Sequence, residues 1–525
     1  MEKRRTAGDG ETQLPEAIIQ HIQSFLDGKE IAQTSVLSKS WYAAWYTHPN
    51  LDLDQRHFSN PRRNVSGAAD VFVEYSRRTM RRYEAIGRKI ESLSLWMGGS
   101  QATGRGWNRS LASELIVKAL QMGATVLHLE ISGRGAPLLL PPEVFESETL
   151  YTLSMVNCEI DRGVEGKVSC SALKSLNLSK VLVEGDTIWD IIRSCPLIEQ
   201  LILSECVCSQ YQTRSGGKMT NFMPFNYLNE FRKEDVGPLI YRRTNPYQFR
   251  NLVRLYLEMV DIGKSFFSDF SSKFPFLVDL TVHQCIWDKQ AHISSPTLER
   301  VSWGDKNEFW AKFDVPRLRK FRFSGSCLPA LTFQKTSSEW ESEISVLHGE
   351  PGTLSLVRLK KFLKKLSRSR ISLSFNIGLI SQKNFEYVGD MEGSRRPVVE
   401  NLMLLMMDAP SSICSSLLGC LFWSCCPKFI SQCQLPQLWI KVNVKNDILA
   451  ILLKRLVQVK EDCFVPNRSM FGQCDLEKVS VEAFDETLAE WVPMTRSTLL
   501  DAMLDRESNS NIRLHLGWAQ TNKPS

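Results

Sequence analysis

Five side chains sit where the outward row of a repeat would present them: Arg254 and Tyr256 in "LVRLYLEMV", Arg300 in "LERVSWGD", and Lys320 and Arg322 in "LRKFRFSGS". Guanidinium groups grip oxyanions through paired N–H donors, so this strip suits an acidic or phosphorylated peptide segment or a small anionic ligand. The plainer alternative is an ordinary solvated face. Other candidate chemistry is thinner. Cys414, Cys420, Cys425, Cys426 and Cys433 cluster without CxxC spacing or a nearby histidine, which suits small buried hydrophobes better than structural zinc. His128 and Glu130 alternate with leucines in "LHLE" and read as surface positions of a strand rather than a catalytic pair. No phosphate loop, GxSxG elbow or HExxH pair occurs, so neither an enzymatic activity, a metal nor a cofactor is expected.

Composition limits the scaffold that must hold these residues. The chain has 525 residues, 43% hydrophobic and 23% charged, the make-up of a folded protein with several domains or one extended array. Its 64 basic and 58 acidic residues leave a net charge of +6, too little to drive the whole molecule onto nucleic acid or an anionic membrane. The opening "MEKRRTAGDGETQ" has basic pairs with no apolar stretch after them, unlike a secretory signal. The 14 scattered cysteines suit reduced thiols, and both features point to the cytosol or nucleus. The longest uncharged run, "APSSICSSLLGCLFWSCC", is diluted by serines and a proline and does not read as a membrane span.

From residue 90 onward one pattern returns, L-x-x-L-x-L followed by a polar, Cys or small residue. Clear copies start at Leu150, Leu173, Ile198, Leu252, Leu277, Leu298 and Leu318, spaced by 23, 25, 54, 25, 21 and 20 residues. The gap of 54 leaves room for one degenerate copy near residue 225. Weaker copies start at Ile90, Ala124, Arg370, Val399, Leu435 and Leu476. In such a segment the last two apolar residues share one strand face and the residue between them takes the other. Stacked coils of this kind make a leucine-rich-repeat solenoid: a curved parallel sheet with helices on the convex side. Its outward positions include His128, Ser154, Asn177, Ile202, Asp279, Thr281 and Ser302 besides the five residues above. "GDTIWDIIRSCP" and "SLVRLKKFLKKLSRSR" carry helical periodicity and read as return helices, the second with a solvated basic face. The final "NIRLHLGW" alternates like a closing strand that caps the array or pairs with the copy at Leu476.

Ahead of the array lies "LPEAIIQHIQSFLDGKEIAQTSVLSKSWYAAW". Pro15 and Glu16 suit a helix start, Ile18, Ile22 and Phe25/Leu26 form an apolar stripe, and Asp27–Gly28 ends it. Ser38 caps a third helix in which Trp41 and Trp45 meet at i and i+4. About three helices in some 35 residues cannot bury a sufficient core alone, so a partner contact is expected.

This segment resembles an F-box, through "LP" at the first helix, "TSVLSKSW" and the Trp pair, with departures at Gln13 and Ser40. With the array behind it, the chain is similar to plant-type F-box/leucine-rich-repeat proteins. The resemblance implies a non-catalytic substrate-receptor subunit of an SCF-type ubiquitin ligase. Its F-box would dock a small adaptor, and through it cullin and RING subunits, while the repeats bind a target protein. It puts Leu14, Pro15, Ile18, Ile22, Leu37, Ser38 and Lys39 on the adaptor face, and gives Trp41 and Trp45 the role of holding the F-box together. A non-ligase interaction scaffold and a small-molecule-gated co-receptor are the alternatives. The expected division is a disordered tail at 1–10, an F-box at 11–55, a helical linker at 56–89, repeats at 90–395 with an insertion near 209–250, and degenerate repeats with a cap at 396–525.

Overall fold

The computed structural model describes residues 14–58, 66–98, 108–132, 137–164, 166–184, 187–209, 249–263, 266–347, 356–377, 396–406, 421–422, 424–432, 457–460, 463–466, 476–485, 487–495, 498 and 512–518. The tail, most of the insertion, the degenerate copy near residue 225, the copy at Leu435, and Cys414, Cys420 and Cys433 lie outside these residues. The chain divides into two compact units, Met1–Phe266 and Phe267–Ser525.

The first unit opens with helices α1 (Glu16–Gln23), α2 (Gly28–Thr34) and α3 (Lys39–Tyr46). Asp27–Gly28 does more than end α1. Asp27 caps α2, accepting the Glu30 N–H at 2.7 Å while the Glu30 carboxylate accepts the Asp27 N–H at 3.1 Å. Helix Ser66–Ile86 and then a parallel sheet follow, its strands in the order Asn50–Asp54, Ser92–Gly98, Val126–Ser132, Thr152–Val156, Ser175–Ser179, Gln200–Ser204 and Arg254–Glu258. The register explains the repeat. Leu51, Leu93, Leu127, Leu153, Leu176, Leu201 and Leu255 form one buried row. Leu53, Leu95, Leu129, Met155, Leu178, Leu203 and Leu257 form a second.

The residue after each of the last four of these strands repeats a conformation as well. Asn157, Lys180, Glu205 and Met259 have φ of 59°, 54°, 52° and 51°. This left-handed corner lets the N–H of Asn157, Lys180 and Glu205 bond the carbonyl at the end of the next strand, at 2.8–2.9 Å. The chain then returns through helices such as Arg109–Gln121 and Thr187–Ser194, or through two- and three-residue strands at Leu138–Leu139, Cys158–Ile160, Leu182–Glu184 and Val207–Ser209 that pair in parallel.

The second unit carries the parallel series Asp279–His283, Arg300–Asp305, Lys320–Gly325, Glu341–Leu347, Arg370–Ile377, Val398–Met406 and Cys426–Gln432. Between residues 284 and 340 the returns are strands, Gln290–Ser294, Trp310–Asp314 and Ala330–Phe333, where helices were expected. Copies 20–21 residues apart leave too few residues for a helix, and alternation such as "WAKFD" favours a strand. Aromatic rings fill the space between: Trp303, Phe313, Phe321 and Phe323 are fully buried, and Phe309 stacks on Trp303 at 5.3 Å. Helix Leu356–Lys365 buries Leu359, Phe362 and Leu363, so its apolar stripe is covered by its own chain. Ile512–Trp518 both caps and pairs, running antiparallel to Cys426–Gln432 and to Leu476–Asp485.

Cys158, Cys170, Cys195, Cys206, Cys285 and Cys425 are buried thiols outside any disulfide, and burial pushes the Cys206 thiol up to about 12. Among the described residues no helix is long and apolar enough to cross a membrane.

Candidate functional site

Polar contacts decide which way α1 faces. Gln23, fully buried, donates to Thr34 Oγ1 at 2.9 Å, and Gln20 donates to Thr47 Oγ1 at 3.1 Å. These bonds tie α1 to α2 and to the end of α3, and Ile19, Ile31 and Ala44 close a small core between the helices. The other apolar residues of the segment are left outside. Leu14, Ile18, Ile22, Phe25, Val36 and Leu37 are between 39% and 85% exposed. So many exposed large apolar side chains, on α1 and in the segments flanking the three helices, make an apolar surface of the kind that marks a protein interface.

Every residue assigned to the adaptor face is at the surface: Leu14, Pro15, Ile18, Ile22, Leu37, Ser38 and Lys39. Pro15 stands at the N-cap of α1, where its carbonyl accepts from Ile18 and Ile19. Ser38 also works within the fold, its hydroxyl accepting the Trp41 N–H at 3.4 Å. Phe25 and Val36, 77% and 85% exposed, belong to the same patch and were not among the assigned residues. Their signal was present in the sequence, since Phe25 continues the Ile18–Ile22 stripe and Val36 precedes Leu37.

The stacked i, i+4 pair in α3 is Tyr42–Tyr46, at 5.8 Å, rather than Trp41–Trp45. Trp45 instead faces the following helix, with the Arg82 guanidinium 4.8 Å from its ring, while the Tyr83 hydroxyl donates to the His48 carbonyl at 2.6 Å. A further tie joins the helices to the sheet. The Gly28 N–H donates to Asp52 Oδ2 at 2.9 Å, and a Cβ on Gly28 would sit 2.8 Å from that oxygen.

The second candidate surface is the outward row of each sheet. In the first unit Arg254 is exposed, and the Tyr256 hydroxyl donates to Glu258 Oε2 at 2.9 Å. In the second unit the cations face outward as expected, but each lies against a carboxylate. Arg300 holds Asp279, with Nη2 to Oδ2 at 2.7 Å, Lys320 holds Glu343, and Arg322 Nε reaches Glu343 Oε2 at 2.6 Å. Burial alone would raise the Glu343 carboxyl, and hydrogen bonds from Lys320 and Arg322 outweigh it, holding it below the usual carboxylate range. The strip is therefore a ladder of three cations paired with two carboxylates, and an incoming anion must compete with Asp279 and Glu343. Among the described residues no three ligand-type side chains converge on a metal position.

Comparison with known proteins agrees with this geometry. Residues 12–53 match the F-box domain family, and residues 105–221 match the family described as "FBD-associated F-box protein At5g56370, LRR repeats". The F-box/LRR-repeat protein At4g00320 of Arabidopsis thaliana is 26% identical over 317 residues, 56% of this chain and 59% of that protein. Two more from the same plant, At2g42720 and At3g58930, are 30% and 31% identical over 195 and 206 residues, each 37% of this chain and 42% and 40% of their own lengths. The chain thus spans less than two thirds of the curated relatives it matches.

Proposed function

We propose that this chain, a plant-type F-box protein with leucine-rich repeats, is the substrate-receptor subunit of an SCF-type cullin–RING ubiquitin ligase. The F-box docks the small adaptor subunit, the outward rows of the repeats hold a target protein, and ubiquitin transfer takes place on other subunits in the cytosol or nucleus. The observation that carries this reading is the apolar surface on α1 and the segments flanking the three short helices. Polar bonds through Gln20 and Gln23 turn Ile19 inward and leave Leu14, Ile18, Ile22, Phe25, Val36 and Leu37 outward. Covering large apolar side chains is worth about 1.5–3 kcal/mol for each one fully buried, so a protein partner on this face has ample driving force. The Arg82–Trp45 and Tyr83–His48 contacts connect that segment to helix Ser66–Ile86, and Gly28–Asp52 connects it to the sheet.

The test is capture from plant extract on the tagged full chain. The reading expects adaptor, cullin and RING subunits together, and loss of all three with Leu14→Ala plus Pro15→Ala. A folded wild-type chain that captures none of them rejects the reading.

A further inference from the structure

The outward face of the first unit's sheet holds a cavity of about 460 Å3 beside strand Asn50–Asp54, within the range of small-ligand sites. Its lining is unbalanced in charge. Asp27, Asp52, Asp54 and Glu130 contribute four carboxylates, and Arg56 is the one Lys or Arg among the lining residues. That guanidinium is already engaged by Asp54, with Nε 2.9 and 3.0 Å from its two oxygens and Nη2 at 2.7 Å, and it lies 4.6 Å from the centre of the Trp96 ring. Of the two histidines, His57 sits 3.8 Å from Asp54, and burial lowers the pKa of His128, which keeps that ring neutral at pH 7.

The walls are built rather than accidental. The Trp96 indole N–H donates to Glu130 Oε1 at 3.0 Å, and Gly98 makes room for the ring, since a Cβ there would lie 2.7 Å from it. Asp52 is half-buried, and the hydrogen bond it accepts comes from a backbone N–H, that of Gly28. Burial, helped by the neighbouring charge of Asp54, raises its carboxyl above the ordinary value of 3.8, so a positive charge brought close would relieve a standing electrostatic cost.

We propose that this cavity binds a cationic group, an ammonium or guanidinium, and that it is carried by a lysine or arginine of the target protein. The inference rests on the reading of the repeat face as the target-binding surface. Among the described residues no lysine or arginine forms a direct ion pair with Asp52 or Glu130, and Arg56, paired with Asp54, acts on both only at longer range, so a cation entering between them gains two carboxylates, whereas an acidic side chain is repelled. A free polyamine offers the same chemistry and is separated by experiment.

Ligand-observed NMR on the full chain, at 50 mM salt, would compare Ac-Gly-Ser-Arg-Ser-Gly-NH2, its glutamate counterpart, and spermidine. The expected result is saturable binding of the arginine probe and none of the glutamate probe, with affinity falling about fivefold for Glu130→Gln and about fivefold for Asp52→Asn. Both substitutions keep the shape and the hydrogen-bond acceptor. Added salt to 300 mM should weaken binding further. Equal binding of both peptides, no binding, or binding unchanged in the double variant overturns the proposal. Spermidine bound with the same dependence on Glu130 and Asp52, while the peptide is not, overturns the target protein as the source and leaves a free amine as the ligand. A chain carrying Ile18→Asp and Ile22→Asp, defective for the adaptor face, should bind the arginine probe as wild type does, so failure of adaptor docking and failure of the cation site are read separately.

Discussion

Gly28→Ala tests how the three-helix unit is joined to the sheet. Gly28 opens α2, and the added Cβ would meet Asp52 Oδ2 at 2.8 Å, its Cβ at 2.9 Å and its carbonyl oxygen at 3.1 Å. Backbone cannot yield cheaply at such distances, so Asp52 must swing away and release the Gly28 N–H it accepts at 2.9 Å. Losing a hydrogen bond to a charged group costs about 1.5–3 kcal/mol. Overpacking adds about 1–3 kcal/mol. Alanine recovers about 1 kcal/mol through its better helix propensity. The net expectation is a loss of about 1.5–5 kcal/mol, read as a lower unfolding midpoint and faster amide exchange across residues 28–54. With Asp52→Ala already in place, the Oδ2 clash and the acceptor are gone while the close Cβ and carbonyl contacts remain, so the same Gly28→Ala change should cost only the overpacking share, about 0–2 kcal/mol after the gain in helix propensity. The two substitutions are therefore expected to couple by about 1.5–3 kcal/mol, the hydrogen-bond share, in a double-mutant cycle. Additive effects, or a Gly28→Ala chain as stable as wild type, would refute the claim that this contact anchors the F-box.

Other expectations follow from single contacts. Lys289 meets Asp305 Oδ2 at 2.6 Å, with side chains 29% and 3% exposed, so Lys289→Met strands a buried carboxylate. The loss should be about 2–3 kcal/mol in denaturant titrations, below the ~3–5 of a fully buried pair because the lysine is partly solvated, and Asp305→Asn should recover part of it. Asp52 has its folded-state carboxyl raised, so its protonation contributes stability that is fully present below the unfolded-state value and is lost as pH rises through the folded one. Unfolding midpoints measured from pH 3 to 7 should show that slope just above the ordinary carboxylate range, and Asp52→Asn should flatten it. Glu343→Gln releases Lys320 and Arg322 while changing stability by less than about 1 kcal/mol. If the basic strip reads acidic targets, a phosphopeptide should then bind this variant more tightly than wild type, and unchanged binding in fluorescence anisotropy would remove the strip.

The sequence made the parallel strands legible because alternation plus a steady period is a strong signal, and the copies from Ile90 to Leu318 correspond to strands. What it hid has local causes. Strand Glu341–Leu347 escaped notice because Ser342 holds the inward place between Phe321 and Ile371, where a leucine was sought. Its buried hydroxyl is satisfied by Ser369 at 2.7 Å. With that strand went Glu343, the carboxylate that Lys320 and Arg322 share. Strand Asn50–Asp54 was read as the tail of the F-box, although "NLDLD" alternates, and strand Cys426–Gln432 was masked by Pro427. The apolar face of α1 was visible as a stripe, but its division into inward Ile19 and outward Ile18 depends on Gln20 and Gln23, whose partners lie 11–27 residues away. The cavity around Trp96 and Asp52 draws on four strands and the segments beside the first of them, a juxtaposition no short pattern shows.

The most direct test is the equilibrium affinity of purified SCF adaptor for the full chain, beside Ile18→Asp plus Ile22→Asp. Both positions are outward, so the substitutions should leave the helices folded by circular dichroism while placing charge on the docking face. The account predicts tight binding by wild type and at least a hundredfold loss in the variant. Equal affinities, or no binding by a folded wild-type chain, would contradict it.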